Sequence, residues 1–255
     1  MVRHRSYFLI LSLLFLISVL QMAKYTFADP LSESLIKASG QGDLAKVNEI
    51  LGLGSNVNHS DKSGWTALIK AAHNGHTDIV RELIAKGADV NKKENAGWSA
   101  LMLAAQFGHV KITQLLLAKE AKVNEKSRHG STALMFASNN GHLDVVTDLL
   151  KNGAQVNTKD RSGTTALMFA ALDGYDPVVK KLIENAADVN VQNASGETAL
   201  IFAAKFGHEN VSRILIENCA DVKIRDADGH TALHYAEQNN KPRITQLLIS
   251  AKPCN

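Results

Sequence analysis

The sequence predicts an all-α-type repeat solenoid, in which short antiparallel helix pairs stack one behind another. Three observations carry this expectation. Blocks of 33 residues recur without insertion from residue 61 to residue 225. Each block holds two stretches of apolar residues at helical spacing, divided by a glycine or a glycine-histidine pair. Each stretch makes only about two or three turns, too few to persist alone in water. A unit must therefore bury its apolar face against its neighbours.

The elements can be taken in order from one block, "SRHGSTALMFASNNGHLDVVTDLLKNGAQVNTK" (127–159). Gly130 permits a tight turn, and Thr132 is a suitable N-cap for the first helix. With Leu134 facing the paired helix, a rotation of about 100° per residue brings Ala137 and Ser138 within about 60° of it. Small residues there let the two helices approach closely. Met135, at about 100°, points toward a neighbouring unit, whereas Phe136 (about 200°) and Asn140 (about 240°) point away from the pair. Gly141 ends the first helix in the left-handed conformation that glycine tolerates best. Val145, Val146, Leu149 and Leu150 share one face of the second helix, Gly153 ends it, and "AQVNTK" leads through an extended turn into the next block.

In this register full units occupy 61–93, 94–126, 127–159, 160–192 and 193–225, with a degenerate unit at 28–60 and a shortened one at 226–255. The array leaves no room for a separate domain. Polar residues in the first unit (Ser32, Glu33, Ser34, Lys37) and the last (Glu237, Gln238, Asn239, Asn240, Lys241) suit caps on an apolar stack.

With "G-x-T-A-L", "A-A-x-x-G-H" and "G-A-D-V-N" at fixed places in this period, residues 28–255 resemble the ankyrin repeat family. The resemblance implies helix pairs joined by β-hairpin fingers, in an L-shaped solenoid whose concave groove binds other proteins. Three departures stand out. The family's usual proline is alanine throughout (Ala67, Ala100, Ala133, Ala166, Ala199, Ala232). Its usual histidine survives only as His234, replaced by Ile69, Met102, Met135, Met168 and Ile201, so apolar contact between units must substitute for a Thr–His ladder. The glycine closing the second helix is kept at Gly54, Gly87 and Gly153 but becomes Glu120, Ala186 and Cys219 elsewhere. A left-handed backbone at those three sites would cost on the order of 1 kcal/mol each.

The chain opens as an exported protein would. Arg3 and Arg5 precede an apolar run from Phe8 to Leu20, and Thr26-Phe27-Ala28 offers small residues for cleavage before Asp29. The run is short for a membrane span of ~20 residues. Residues 1–28 are thus expected to be a secretory signal peptide ahead of a repeat domain at 29–255, in the periplasm or secreted. The alternative is an uncleaved anchor over 7–28. Arg3, Arg5 and Lys24 account for the whole formal charge of +3, so the mature chain is neutral. Neutrality argues against a nucleic-acid partner. Export leaves a disulfide between Cys219 and Cys254 open, worth roughly 3–4 kcal/mol if unstrained; two separate thiols are the alternative.

Catalytic and cofactor patterns are missing from the sequence: there is no HExxH, GxSxG or Walker-type loop. His76, His109, His142 and His208 share one repeat position, and units stacked roughly 10 Å apart cannot bring them to a common ion. Hydrogen bonding at helix ends is the expected role. Asn58, Asn193 and Asn210 begin glycosylation triplets, but the first two sit where the repeat uses its own turns. No enzyme, metal or cofactor is expected.

The aromatics point to a binding face. Of nine in the mature chain, Phe136, Phe169, Phe202 and Tyr235 share one helix position and Phe107 and Phe206 another. Trp65 and Trp98 lie in the finger just before the first helix, and Tyr175 alone falls elsewhere. The Phe136-type residues suit either wedging between units or contact with a partner. Lys62, His73, Arg128, Arg161 and Lys205 are polar candidates on the same side. The reading is a monomeric, non-catalytic scaffold binding one partner protein, with a membrane-tethered envelope protein or a host-directed effector as alternatives.

Overall fold

The computed structural model describes residues 30–252. The expected signal peptide and Cys254 lie outside the described residues. The described chain forms fourteen helices in consecutive pairs. The first helices of the pairs are α1 (Pro30–Gln41), α3 (Ala67–His73), α5 (Ala100–Gln106), α7 (Ala133–Asn139), α9 (Ala166–Leu172), α11 (Ala199–Phe206) and α13 (Ala232–Gln238). The second helices are α2 (Leu44–Gly52), α4 (Thr77–Ala85), α6 (Val110–Ala118), α8 (Leu143–Lys151), α10 (Asp176–Glu184), α12 (Glu209–Glu217) and α14 (Pro242–Ser250). Each helix packs on its own partner and on the equivalent helix of the next pair, giving two stacked layers.

The first helices begin as the sequence predicts. Thr66, Ser99, Thr132, Thr165, Thr198 and Thr231 each accept the N–H three residues on, at 3.2–3.4 Å. Each such cap contributes about 1 kcal/mol. In the stripe behind the cap, Leu134 and Met135 are buried, and Ala137 and Ser138 are wholly so. On α8, Val145, Val146 and Leu149 are likewise at 0 % exposure. The residues replacing the family histidine are all core: Ile69, Met102, Met168 and Ile201 are 1 % exposed and Met135 is 2 %. His234, the one survivor, is exposed in the last described pair.

Two polar ladders tie the units together. The Nε2 atoms of His76, His109, His142 and His208 lie 2.8–3.1 Å from the carbonyls of Gly40, His73, Gln106 and Leu172 in the preceding unit. A carbonyl only accepts, so each Nε2 carries a proton. This is the helix-end role expected of them. In the second ladder, the amides of Asn58, Asn124, Asn157 and Asn190 donate to the carbonyls of Gly87, Gly153, Ala186 and Cys219 at 3.0–3.2 Å. The same four accept the N–H two residues beyond, at 2.7–2.9 Å. With both side-chain functions engaged, Asn58 is a turn residue. The equivalent position between α12 and the last pair is Lys223.

Glu120, Ala186 and Cys219 do turn left-handed, with φ of 59°, 63° and 67°. The ladder uses only the carbonyls of Ala186 and Cys219, so any residue able to bear the strain can stand there. Glu120→Gly and Ala186→Gly are each expected to stabilise the fold by about 0.5–1 kcal/mol, the strain relieved less the entropy of the added glycine. Chemical denaturation measures the gain, and hydrogen exchange should show local opening at 118–122 and 184–188 slowed in the variants.

Two expectations need correction. The fingers are tight loops more than β-hairpins: among the described residues only isolated bridges, Ser60 to Thr66 and Lys93 to Ser99, are formed. Side-chain acceptors within each finger bind its N–H groups and leave little for a strand ladder. Ser32 does not belong to a polar outer cap. It is wholly buried and its hydroxyl accepts the Asn56 N–H at 3.0 Å, while Ser34 and Lys37 are exposed as expected.

Candidate protein-binding face

The fingers and first helices place most of the aromatics on one shared face. The finger turn is built by an acid or amide at its start. Asp61 accepts the N–H groups of Ser63 and Trp65 at 2.8 and 2.9 Å, which fixes the backbone of Trp65. Glu94 accepts those of Ala96 and Trp98 at 2.9 Å, and so fixes Trp98. Consecutive fingers are joined by single backbone bonds, from Asn95, Arg128, Arg161, Ala194 and Ala227 N–H to the preceding finger, at 2.8–3.0 Å.

On this scaffold the rings nearer the N-terminus make two groups, and His230, His234 and Tyr235 make a third at the last finger. Lys70 Nζ sits 3.9 Å above the Trp65 ring, a cation–π contact. Trp65 meets His73 edge-on at 5.7 Å, and His73 meets Phe107 edge-on at 4.8 Å. This chain crosses from one unit to the next. In the second group, Trp98 stacks on Phe136 of the following unit at 4.2 Å.

The two aromatic helix positions differ in burial. Phe136, Phe169, Phe202 and Tyr235 are half-buried and packed against the core. They are wedges with one open edge. Phe107 and Phe206 are 45 % and 51 % exposed. Phe206 has no ring partner among the described residues, and Lys205 beside it pairs with Glu197 at 3.2 Å. Lys62, Arg128 and Arg161 are exposed at the finger tips. The interplay of Trp98 with Phe136 and of His73 with Phe107 joins residues 34–38 apart, which a repeat register alone does not pair.

The last finger carries the one cluster of metal-ligating side chains among the described residues, Asp226, Asp228 and His230. Asp226 is already committed to the turn. Its Oδ1 accepts the N–H groups of Asp228 and His230 at 3.0 and 2.8 Å, and its Oδ2 accepts the Tyr235 hydroxyl at 2.7 Å. Burial pushes the Asp226 carboxyl up, but these donors outweigh it and hold the group below its ordinary range. The same hydrogen bond, reinforced by burial, pushes the Tyr235 hydroxyl up to about 12.

Linkage sets the window of this contact. A raised tyrosine pKa contributes stability below the ordinary value of 10, lost as pH rises through about 12. A lowered carboxylate pKa contributes above its ordinary value and is lost as pH falls through the lowered one. Tyr235→Phe is expected to destabilise the last unit by about 1–2 kcal/mol at neutral pH, since it removes a charge-assisted bond. The deficit should shrink in acid as Asp226 is protonated, which denaturation at pH 7 and pH 3 compares.

N-capped first helices, second helices closed by a left-handed residue, and ladders between units define a stacked helix-pair repeat protein. A family model described as ankyrin repeats (three copies) matches residues 35–127, 123–193 and 167–255. The chain belongs to the ankyrin-repeat family. Members of this family are in general protein–protein interaction modules. No curated protein matches the chain.

Proposed function

We propose that this chain is an exported, non-catalytic scaffold that binds another protein through the groove bordered by its fingers and first helices. The observation that carries the reading is the exposure of Phe107 and Phe206 on the face that also holds Trp65, Trp98 and the Phe136-type wedges. Large exposed aromatics on a rigid support are typical anchors of protein interfaces. A prearranged surface also avoids the entropy of ordering a loop on binding. The commitment of Asp226 to its own turn supports a role without chemistry. The apolar N-terminal run supports export.

Affinity capture from the exported compartment, with wild type and a Trp65→Ala/Trp98→Ala double variant, tests the binding role. A protein retained by wild type and lost with the variant is the expected result. Equal capture by both would remove these residues as anchors. N-terminal sequencing of the exported protein distinguishes cleavage before Asp29 from a chain tethered through residues 7–28.

A further inference from the structure

Along the finger tips the equivalent positions read Lys62, Asn95, Arg128, Arg161, Ala194 and Ala227. Three cations stand toward one end of the row and two alanines at the other. Neighbouring tips are linked. The Asn95 amide donates to the Lys62 carbonyl at 3.1 Å, and Arg128 Nη2 donates to the Asn95 carbonyl at 2.6 Å. Lys62, Arg128 and Arg161 form no ion pair among the described residues. The acids of the same fingers are engaged elsewhere: Asp61, Glu94 and Asp160 each accept two N–H groups of their own turn.

Beside this row lies the ring chain from Trp65 through His73 to the exposed Phe107, with the Lys70 ammonium over Trp65 and likewise without a carboxylate. The other half of the face is balanced differently. There Glu197 pairs with Lys205. Along the row of finger tips, cations without an ion-pair partner therefore accompany exposed aromatic surface toward the N-terminal half.

We infer that this half of the face takes an acidic, extended segment of the partner protein, with an aromatic or large aliphatic side chain set among its carboxylates. The inference rests on the groove reading above and specifies the chemistry of its occupant. Arginine forks grip carboxylates in two parallel hydrogen bonds, while Phe107 offers a surface for an apolar anchor. At roughly 10 Å per unit, Lys62 and Arg161 stand ~30 Å apart. An extended segment of about nine residues spans that distance.

Panning a random twelve-residue peptide display library on the mature chain tests this, followed by titration of the leading synthetic peptide. The chain has two tryptophans, Trp65 and Trp98, so intrinsic fluorescence reports occupancy of this face directly. The expected peptides are rich in Asp and Glu with at least one aromatic or Leu. Their affinity should fall tenfold or more in Arg128→Glu/Arg161→Glu, whose thermal melt should match wild type, and fall again between about 50 and 500 mM salt. Neutral or basic peptides that lose affinity in Phe107→Ala would overturn the acidic occupant and leave the groove reading standing. Peptides indifferent to both variants, or no selected peptide, would overturn both.

Discussion

Met135→Ala is expected to destabilise the protein by about 2–5 kcal/mol, the range for truncating a fully buried methionine. Met135 is 2 % exposed and stands in the row of Ile69, Met102, Met168 and Ile201 that replaces the family's histidine. The row lies in the layer where first helices stack on one another, so a cavity there weakens the contact between units. In a repeat array, stability is approximately a sum of unit and nearest-neighbour terms. A defect in the middle unit should then lower cooperativity as well as the midpoint. Phe136→Ala, one residue on, should cost only about 2 kcal/mol, because that ring is half-buried and covered on one side by Trp98. Urea denaturation of both variants measures the contrast, and equal losses would mean that the wedge is as much core as the methionine.

Gly97→Ala is expected to cost about 2–4 kcal/mol, several times the cost of Gly87→Ala. The two glycines have nearly the same left-handed φ, 83° and 84°, so the backbone strain of about 1 kcal/mol is common to both. Their surroundings differ. A Cβ on Gly87 would meet nothing within 4 Å, whereas one on Gly97 would lie 2.9 Å from the Arg128 backbone nitrogen. That nitrogen donates to Ala96 in the bond joining consecutive fingers, at 2.9 Å. The added methyl would push the fingers apart or break the bond, a term comparable with overpacking a core. The difference between the two variants isolates what close approach of the fingers contributes. If both lose the same amount, the fingers are not coupled as the geometry implies.

Much of this fold was legible in the sequence because its rules are local and repeat. The threonine caps, the alanine stripe behind Leu134 and the apolar face of α8 each follow from helix periodicity. The histidine ladder was legible as a helix-end role, and its carbonyl acceptors came only with the stacking. Ser32 was misplaced because the first unit is degenerate and α1 is longer than the other first helices, so a buried hydroxyl looked like a solvated one. The fingers were overdrawn as hairpins, since the chain uses side chains such as Asp61 and Glu94 where a ladder would use backbone. On the face, the rings were found by register but their partners were not. Trp98 on Phe136 and His73 on Phe107 depend on how far one unit overlaps the next, which period alone does not state.

The central claim is that Phe107 and Phe206 serve binding and not the core. A Phe107→Ser/Phe206→Ser double variant tests it most directly, by thermal melting and partner capture on the same preparation. Both rings are about half exposed, so the melt should match wild type within about 1 kcal/mol, as for surface positions, while capture is lost. A melt lowered as far as that of Met135→Ala, or capture retained at wild-type level, would contradict the account.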